Sequence, residues 1–186
     1  MAVAALPRLP IHVKEVRARS FNLIDDNGNA RASLCMSSDG PFLYLWGKGT
    51  TNASLGVSEF GPSLNLTDFH TNASLAVTEY GPSLSLCDMK GATRARLSVD
   101  EDGSCLTISD QNENPRATLG VAKDAARLRL GDESGKQGAA LAVVTDGPVL
   151  VLGEKNGKRR ALLSVLQDGP SLRLTDENGT PISSVP

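Results

Sequence analysis

Apolar and polar residues alternate along nearly the whole chain in runs of six to eight. Ala95, Leu97 and Val99, for example, are interleaved with Arg94, Arg96 and Ser98. A period of two sends one set to each face of a strand, so the pattern predicts half-buried β-strands and no helices. The runs themselves recur as an x-Leu-x-Leu-x-Asp stretch, a turn, an Arg-Ala-x-Leu-x-Val stretch, then Asp-Gly-Pro. The second apolar position of the first stretch falls at Leu23, Leu45, Leu66, Leu86, Ile108, Leu130, Leu152 and Leu174, in steps of 20 to 22. The central leucine of the second stretch keeps the same beat at Leu34, Leu55, Leu75, Leu97, Leu119, Leu141 and Leu163. Seven full units and one half unit follow.

Both connections within a unit are short. After the first stretch comes Asp-x-x-Gly, as in Asp25 to Gly28 or Asp132 to Gly135, where Asp bonds the turn backbone and Gly supplies positive φ. The return is Gly-Pro or Asp-Gly, as at Gly61-Pro62 and Asp146-Gly147-Pro148, and degenerates to Asp124-Ala125 in one unit. Two tight turns per unit require strands that alternate in direction, because a parallel coil needs longer crossovers. The expectation is therefore all-β: about seven to eight antiparallel hairpin repeats of 20 to 22 residues. About fifteen strands in a row leave two long edges, and closure into a ring or shallow barrel removes them. Residues 21–186 form this single repeat domain. The N-terminal segment 1–20, carrying Ile11, Val13 and Val16, is placed to add the strand that closes it.

An acid precedes an arginine by six residues in Asp25/Arg31, Asp88/Arg94, Asp110/Arg116 and Glu154/Arg160, which sets the two across a hairpin turn from each other. Where Gly47 replaces the acid, Asn52 replaces the base, as pairing requires.

Units such as PSLRLTDENG and NPRATLGVAKD, recurring from about Phe21 to Thr180, resemble the β-flower proteins, whose short hairpins stand as petals around a shallow barrel. The resemblance implies an all-β ring with an apolar centre, no established activity, and a likeness to the lipid-binding barrel of Tubby-type domains. The resemblance also implies N-terminal membrane anchors in some relatives; residues 1–20 do not read as one, so none is expected here.

Composition narrows the function classes. With 186 residues, 19 Lys and Arg against 21 Asp and Glu, and a net charge of −2, the chain has no basic footprint for nucleic acid. No run approaches the ~18 apolar residues of a spanning helix, and MAVAALPRLPIHVKEVRARS does not read as a secretion signal. Cys35, Cys87 and Cys105 are odd in number and far apart, which argues against a disulfide framework and points to a reducing cytoplasm, with peripheral membrane association still open. The sequons at Asn52, Asn65, Asn72 and Asn178 matter only in a secreted protein.

The repeated inward positions Leu45, Leu66, Leu86, Ile108, Leu130, Leu152 and Leu174 make an apolar centre. Either the ring flattens until its own side chains meet, or a lipid-like or other hydrophobic ligand fills it. Phe42, Tyr44 and Trp46 form an aromatic stripe on the face opposite Leu43 and Leu45. This stripe serves either as a contact for a partner or second copy, or as a surface buried by residues 1 to 20. Phe60 and Tyr80 replace the turn Asp in two successive units and put two rings on one rim, where they either are ordinary packing residues or cap the ring mouth or touch a membrane interface.

The turn acids Asp25, Asp68, Asp88, Asp110, Asp132, Glu154 and Asp176 share one rim, but no unit supplies the several oxygens that calcium needs, so no metal is assigned. His12 and His70 are too few for a zinc or catalytic set. Trp46-Gly47-Lys48-Gly49-Thr50 lacks Walker spacing, and no serine sits in a GxSxG elbow. The expectation is a non-enzymatic binding module without cofactor; the alternative is a structural or protein-interaction scaffold with a self-packed core and an outward aromatic contact stripe.

Overall fold

The computed structural model describes residues 15–185. Ile11, His12 and Val13 lie outside them, as does most of the expected closing strand, while Val16 is exposed coil. The described residues form one sixteen-stranded sheet whose strands pair strictly in chain order. They are β1 (Ser20–Ile24), β2 (Ala30–Met36), β3 (Pro41–Trp46), β4 (Asn52–Ser58), β5 (Gly61–Asp68), β6 (Thr71–Thr78), β7 (Gly81–Cys87) and β8 (Thr93–Asp100). The second half continues as β9 (Gly103–Ser109), β10 (Pro115–Ala122), β11 (Ala125–Gly131), β12 (Gln137–Val144), β13 (Gly147–Gly153), β14 (Arg159–Leu166), β15 (Gly169–Thr175) and β16 (Pro181–Val185). Every neighbouring pair is antiparallel, as two tight turns per repeat demand. The C-terminal stub is the sixteenth strand.

Turn chemistry explains the repeat length. In the β1–β2 turn the Asp25 amide donates to the Asn29 carbonyl at 2.9 Å, and Gly28 N–H donates to the Asp25 carbonyl at 2.9 Å. The Asp25 carboxylate accepts from the amides of Asn27 and Asn29, so the side chain closes the turn. The same arrangement recurs at Asp88, Asp110, Asp132 and Asp176. Hairpins built this way carry a register shift beside the turn, as at Leu86/Cys87, Leu130/Gly131 and Leu174/Thr175. The β5–β6 hairpin has only Phe69 and His70 between the paired Asp68 and Thr71, with no shift, which accounts for the step of 20 between Leu66 and Leu86.

All four expected cross-turn pairs form: Arg31–Asp25 at 2.8 Å, Arg94–Asp88 at 3.5 Å, Arg116–Asp110 at 3.5 Å and Arg160–Glu154 at 3.7 Å.

The expected closure is not found, nor is the self-packed core of the alternative reading. β1 pairs only with β2 and β16 only with β15, and among the described residues no apolar side chain is buried. Strands touch only their sequence neighbours, so the sheet neither joins its edges nor folds back on itself. Sixteen strands at about 4.8 Å spacing make a path of roughly 70 Å measured across the strands along the sheet.

Candidate functional site: the leucine face

Register converts the alternating pattern into rows. Leu34, Leu43, Leu55, Leu64, Leu75 and Leu84 are successive cross-strand partners, and the row runs on without interruption through Leu97, Leu106, Leu119, Leu128, Leu141, Leu150, Leu163 and Leu172. All but Leu150 keep 36–52% of their surface exposed. Beside it lies a second row in which large and small side chains alternate strand by strand: Leu45, Ala53, Leu66, Ala73, Leu86, Ala95, Ile108, Ala117, Leu130, Ala139, Leu152, Ala161, Leu174. A third row pairs valine with proline, as in Val57–Pro62, Val77–Pro82, Val143–Pro148 and Val165–Pro170. None of the three rows contains a charged side chain.

The seven residues expected to line an apolar centre therefore do share one row, on one face, but they line an open surface. Leu45, Leu66, Leu86, Ile108, Leu130, Leu152 and Leu174 are all exposed. At β3–β7 the surface deepens into a hollow of about 550 Å³ lined by Leu45, Ala53, Leu66, Ala73 and Leu86, with Thr51 and Asp68 at its edge. Its cause is local: Ala53 and Ala73 stand between larger side chains, while the compact Asp68–Thr71 turn sits at its end. That edge is tied by a Thr51 hydroxyl donating to Asp68 Oδ1 at 3.1 Å and the Phe69 amide donating to Thr50 Oγ1 at 2.9 Å. These bonds link the β3–β4 turn to the β5–β6 turn where no arginine is available.

The opposite face is zoned along the sheet. Phe42, Tyr44 and Trp46 on β3 stack in series, with ring centroids 5.5 and 5.7 Å apart and planes within 13° of each other. Gly56, the cross-strand partner of Phe42, leaves room for the ring, since a Cβ there would overlap it. Serine, asparagine and threonine follow on β4–β7; next comes a row Arg96, Thr107, Thr118, Arg129 on β8–β11, then Val149, Val151 and Leu162 on β13–β14. The stripe is thus where alternation predicts, and Phe60 and Tyr80 do share one rim in the β4–β5 and β6–β7 turns, 74% and 79% exposed.

The carboxyls of Asp25, Asp110, Asp132 and Asp176 sit below the ordinary value of 3.8. For Asp25 the Asn29 amide is the main cause, for Asp132 the Ser134 hydroxyl at 2.7 Å, and for Asp176 the Thr180 amide. At Asp110 desolvation pushes upward and is outweighed by the amides of Asn112 and Asn114. These oxygens are committed to their own turns.

The unbroken leucine row, the widest feature of the face, was not singled out as a site from the sequence. Its signal was the 20- to 22-residue beat of Leu34, Leu55 and Leu75, which becomes a row only when register sets each beside the odd-strand leucines.

Neither protein-family models nor curated protein sequences gave a match to this chain, so its own residues carry the reading.

Proposed function

We propose that this chain is a non-enzymatic binding module that works through its leucine face, with the β3–β7 hollow taking a lipid-like or other hydrophobic ligand. The carrying observation is the hollow itself: its volume lies within the ~300–1,000 Å³ of small-molecule sites, and its floor is leucine and alanine. Thr51 and Asp68 at the edge suit a ligand with one polar end. The closed form of this reading is the petal ring of the β-flower proteins. Sixteen alternating strands leave β1 and β16 antiparallel, the orientation that closure would require of the two edges, which lie apart in the open sheet. A ring of that size is wider than leucine side chains fill, and a hydrophobic ligand would fill its centre. Free Cys35, Cys87 and Cys105 suit a reducing cytoplasm.

The test is native mass spectrometry of the purified protein, then organic extraction and mass analysis of whatever is bound. The expected result is a hydrophobic molecule at fixed stoichiometry, less of it in Leu66→Asp, and a melting temperature raised by added fatty acid. A protein that carries nothing and gains no stability from fatty acid would refute the reading. The scaffold reading draws on a separate observation, the stacked Phe42–Tyr44–Trp46 stripe, whose ring types are enriched at protein contacts.

A further inference from the structure

The accessible surface of the chain is 14079 Å². A compact monomer of 19.5 kDa exposes about 8,500 Å². The excess is about 5,500 Å². Granting all fifteen residues outside 15–185 the surface of an unfolded chain, about 2,300 Å² by the same scaling, still leaves about 3,000 Å² unaccounted for. The leucine face is where this surplus is apolar, and a ligand in the β3–β7 hollow leaves the leucines of β8–β15 bare. Contiguous apolar patches on soluble monomers stop at a few hundred Å².

We infer that a second copy of this chain covers the leucine face, so that two sheets pack face to face and supply together the core that each lacks. The inference rests on the reading of the leucine face as the working face of a binding module. Three observations favour a second copy over another occupant. Covering about 3,000 Å² on each of two chains would bury about 6,000 Å² in all, at the upper end of the 2,000–5,000 Å² and more that obligate homodimers bury. The face is self-complementary: a two-fold axis lying between the sheets and parallel to the strands turns the two faces toward each other and lays each row over its own copy, and the alternating Leu/Ala row offers both the projections and the gaps for interdigitation. The edges, by contrast, are blunted, since β1 and β16 are five residues long against six to eight inside the sheet, and β16 begins with Pro181. A second sheet also roofs the hollow, turning an open site into an enclosed one.

The experiment is native mass spectrometry and light scattering on the full chain, with urea unfolding at protein concentrations spanning a hundredfold. The expected result is a mass twice 19.5 kDa and an unfolding midpoint that rises with concentration. Leu97→Glu and Leu106→Glu, paired on β8 and β9, should halve the mass, and Tyr44→Ser with Trp46→Ser on the other face should not. Should the glutamate variants not fold, the concentration dependence of the natural chain decides alone. A monomer with a bound lipid overturns the dimer and leaves the ligand reading standing; a bare monomer with a concentration-independent midpoint overturns both. A dimer split by the aromatic substitutions and untouched by the leucine ones also overturns the inference, placing the interface on the stripe.

Discussion

Arg31 is joined to Asp25 across the β1–β2 turn, its Nε donating to Oδ2 at 2.8 Å, while its Nη1 donates to the Gly47 carbonyl at 2.9 Å at the start of the next turn. One side chain thus closes its own hairpin and fastens it to its neighbour. Arg116 does the same, facing Asp110 at 3.5 Å and donating from Nε to the Gly131 carbonyl at 3.0 Å. Among the described residues Arg94 has only its carboxylate, 3.5 Å away at Asp88.

This difference orders three substitutions. Arg94→Ala loses a partly exposed ion pair and should cost under about 1 kcal/mol. Arg31→Ala and Arg116→Ala also leave a carbonyl without its charged donor, and each should cost about 1 kcal/mol more. Chemical denaturation of the three variants measures the order; equal losses would mean that the links between turns carry no stability.

The depressed turn carboxyls make the fold acid-sensitive in a defined window. Asp25, Asp110, Asp132 and Asp176 titrate below their ordinary 3.8 in the folded chain. Their contribution is therefore fully present above about pH 4 and is lost as pH falls through the lower folded values. Melting temperature should be flat from pH 7 to about 5 and drop below 4. Asp25→Asn, which keeps an acceptor oxygen but no charge, should flatten that drop.

Gly61 and Gly169 open equivalent hairpins with nearly equal φ, +112° and +116°. A Cβ on Gly61 would overlap the Val77 carbonyl oxygen of β6, whereas among the described residues nothing lies within 4 Å of one on Gly169. Gly169→Ala should cost about 1 kcal/mol from the left-handed backbone alone. Gly61→Ala adds the clash and should cost about 2–3 kcal/mol. Thermal unfolding of the pair separates steric contact from conformational strain.

Replacing Gly56 by alanine tests the aromatic stripe without touching it. The added methyl would occupy the place of the Phe42 ring, so Phe42 must swing away and its 5.5 Å stacking with Tyr44 must break. Near-ultraviolet circular dichroism should lose intensity and stability should fall by about 1 kcal/mol. An unchanged spectrum would show that the ring does not lie over Gly56.

What could be read along the chain and what could not divide by range. Alternation such as Ala95-Arg96-Leu97 sets strand and face, Asp-x-x-Gly sets the turn, and six-residue spacing sets the Asp25–Arg31 and Asp88–Arg94 pairs. All of these are contacts between residues a few positions apart, decided by hydrogen bonding within one hairpin. The aromatic stripe on β3 and its small neighbours Ser54 and Gly56 were legible for the same reason. Only the assembled sheet decided that Leu45 through Leu174 line an open face and that β1 and β16 stay apart. Closure depends on twist and register shift summed over fifteen hairpin steps, and each step is compatible with a ring or with an open layer. Burial is decided later still: a single-layer sheet cannot cover its own apolar face, so its core has to come from whatever lies against it.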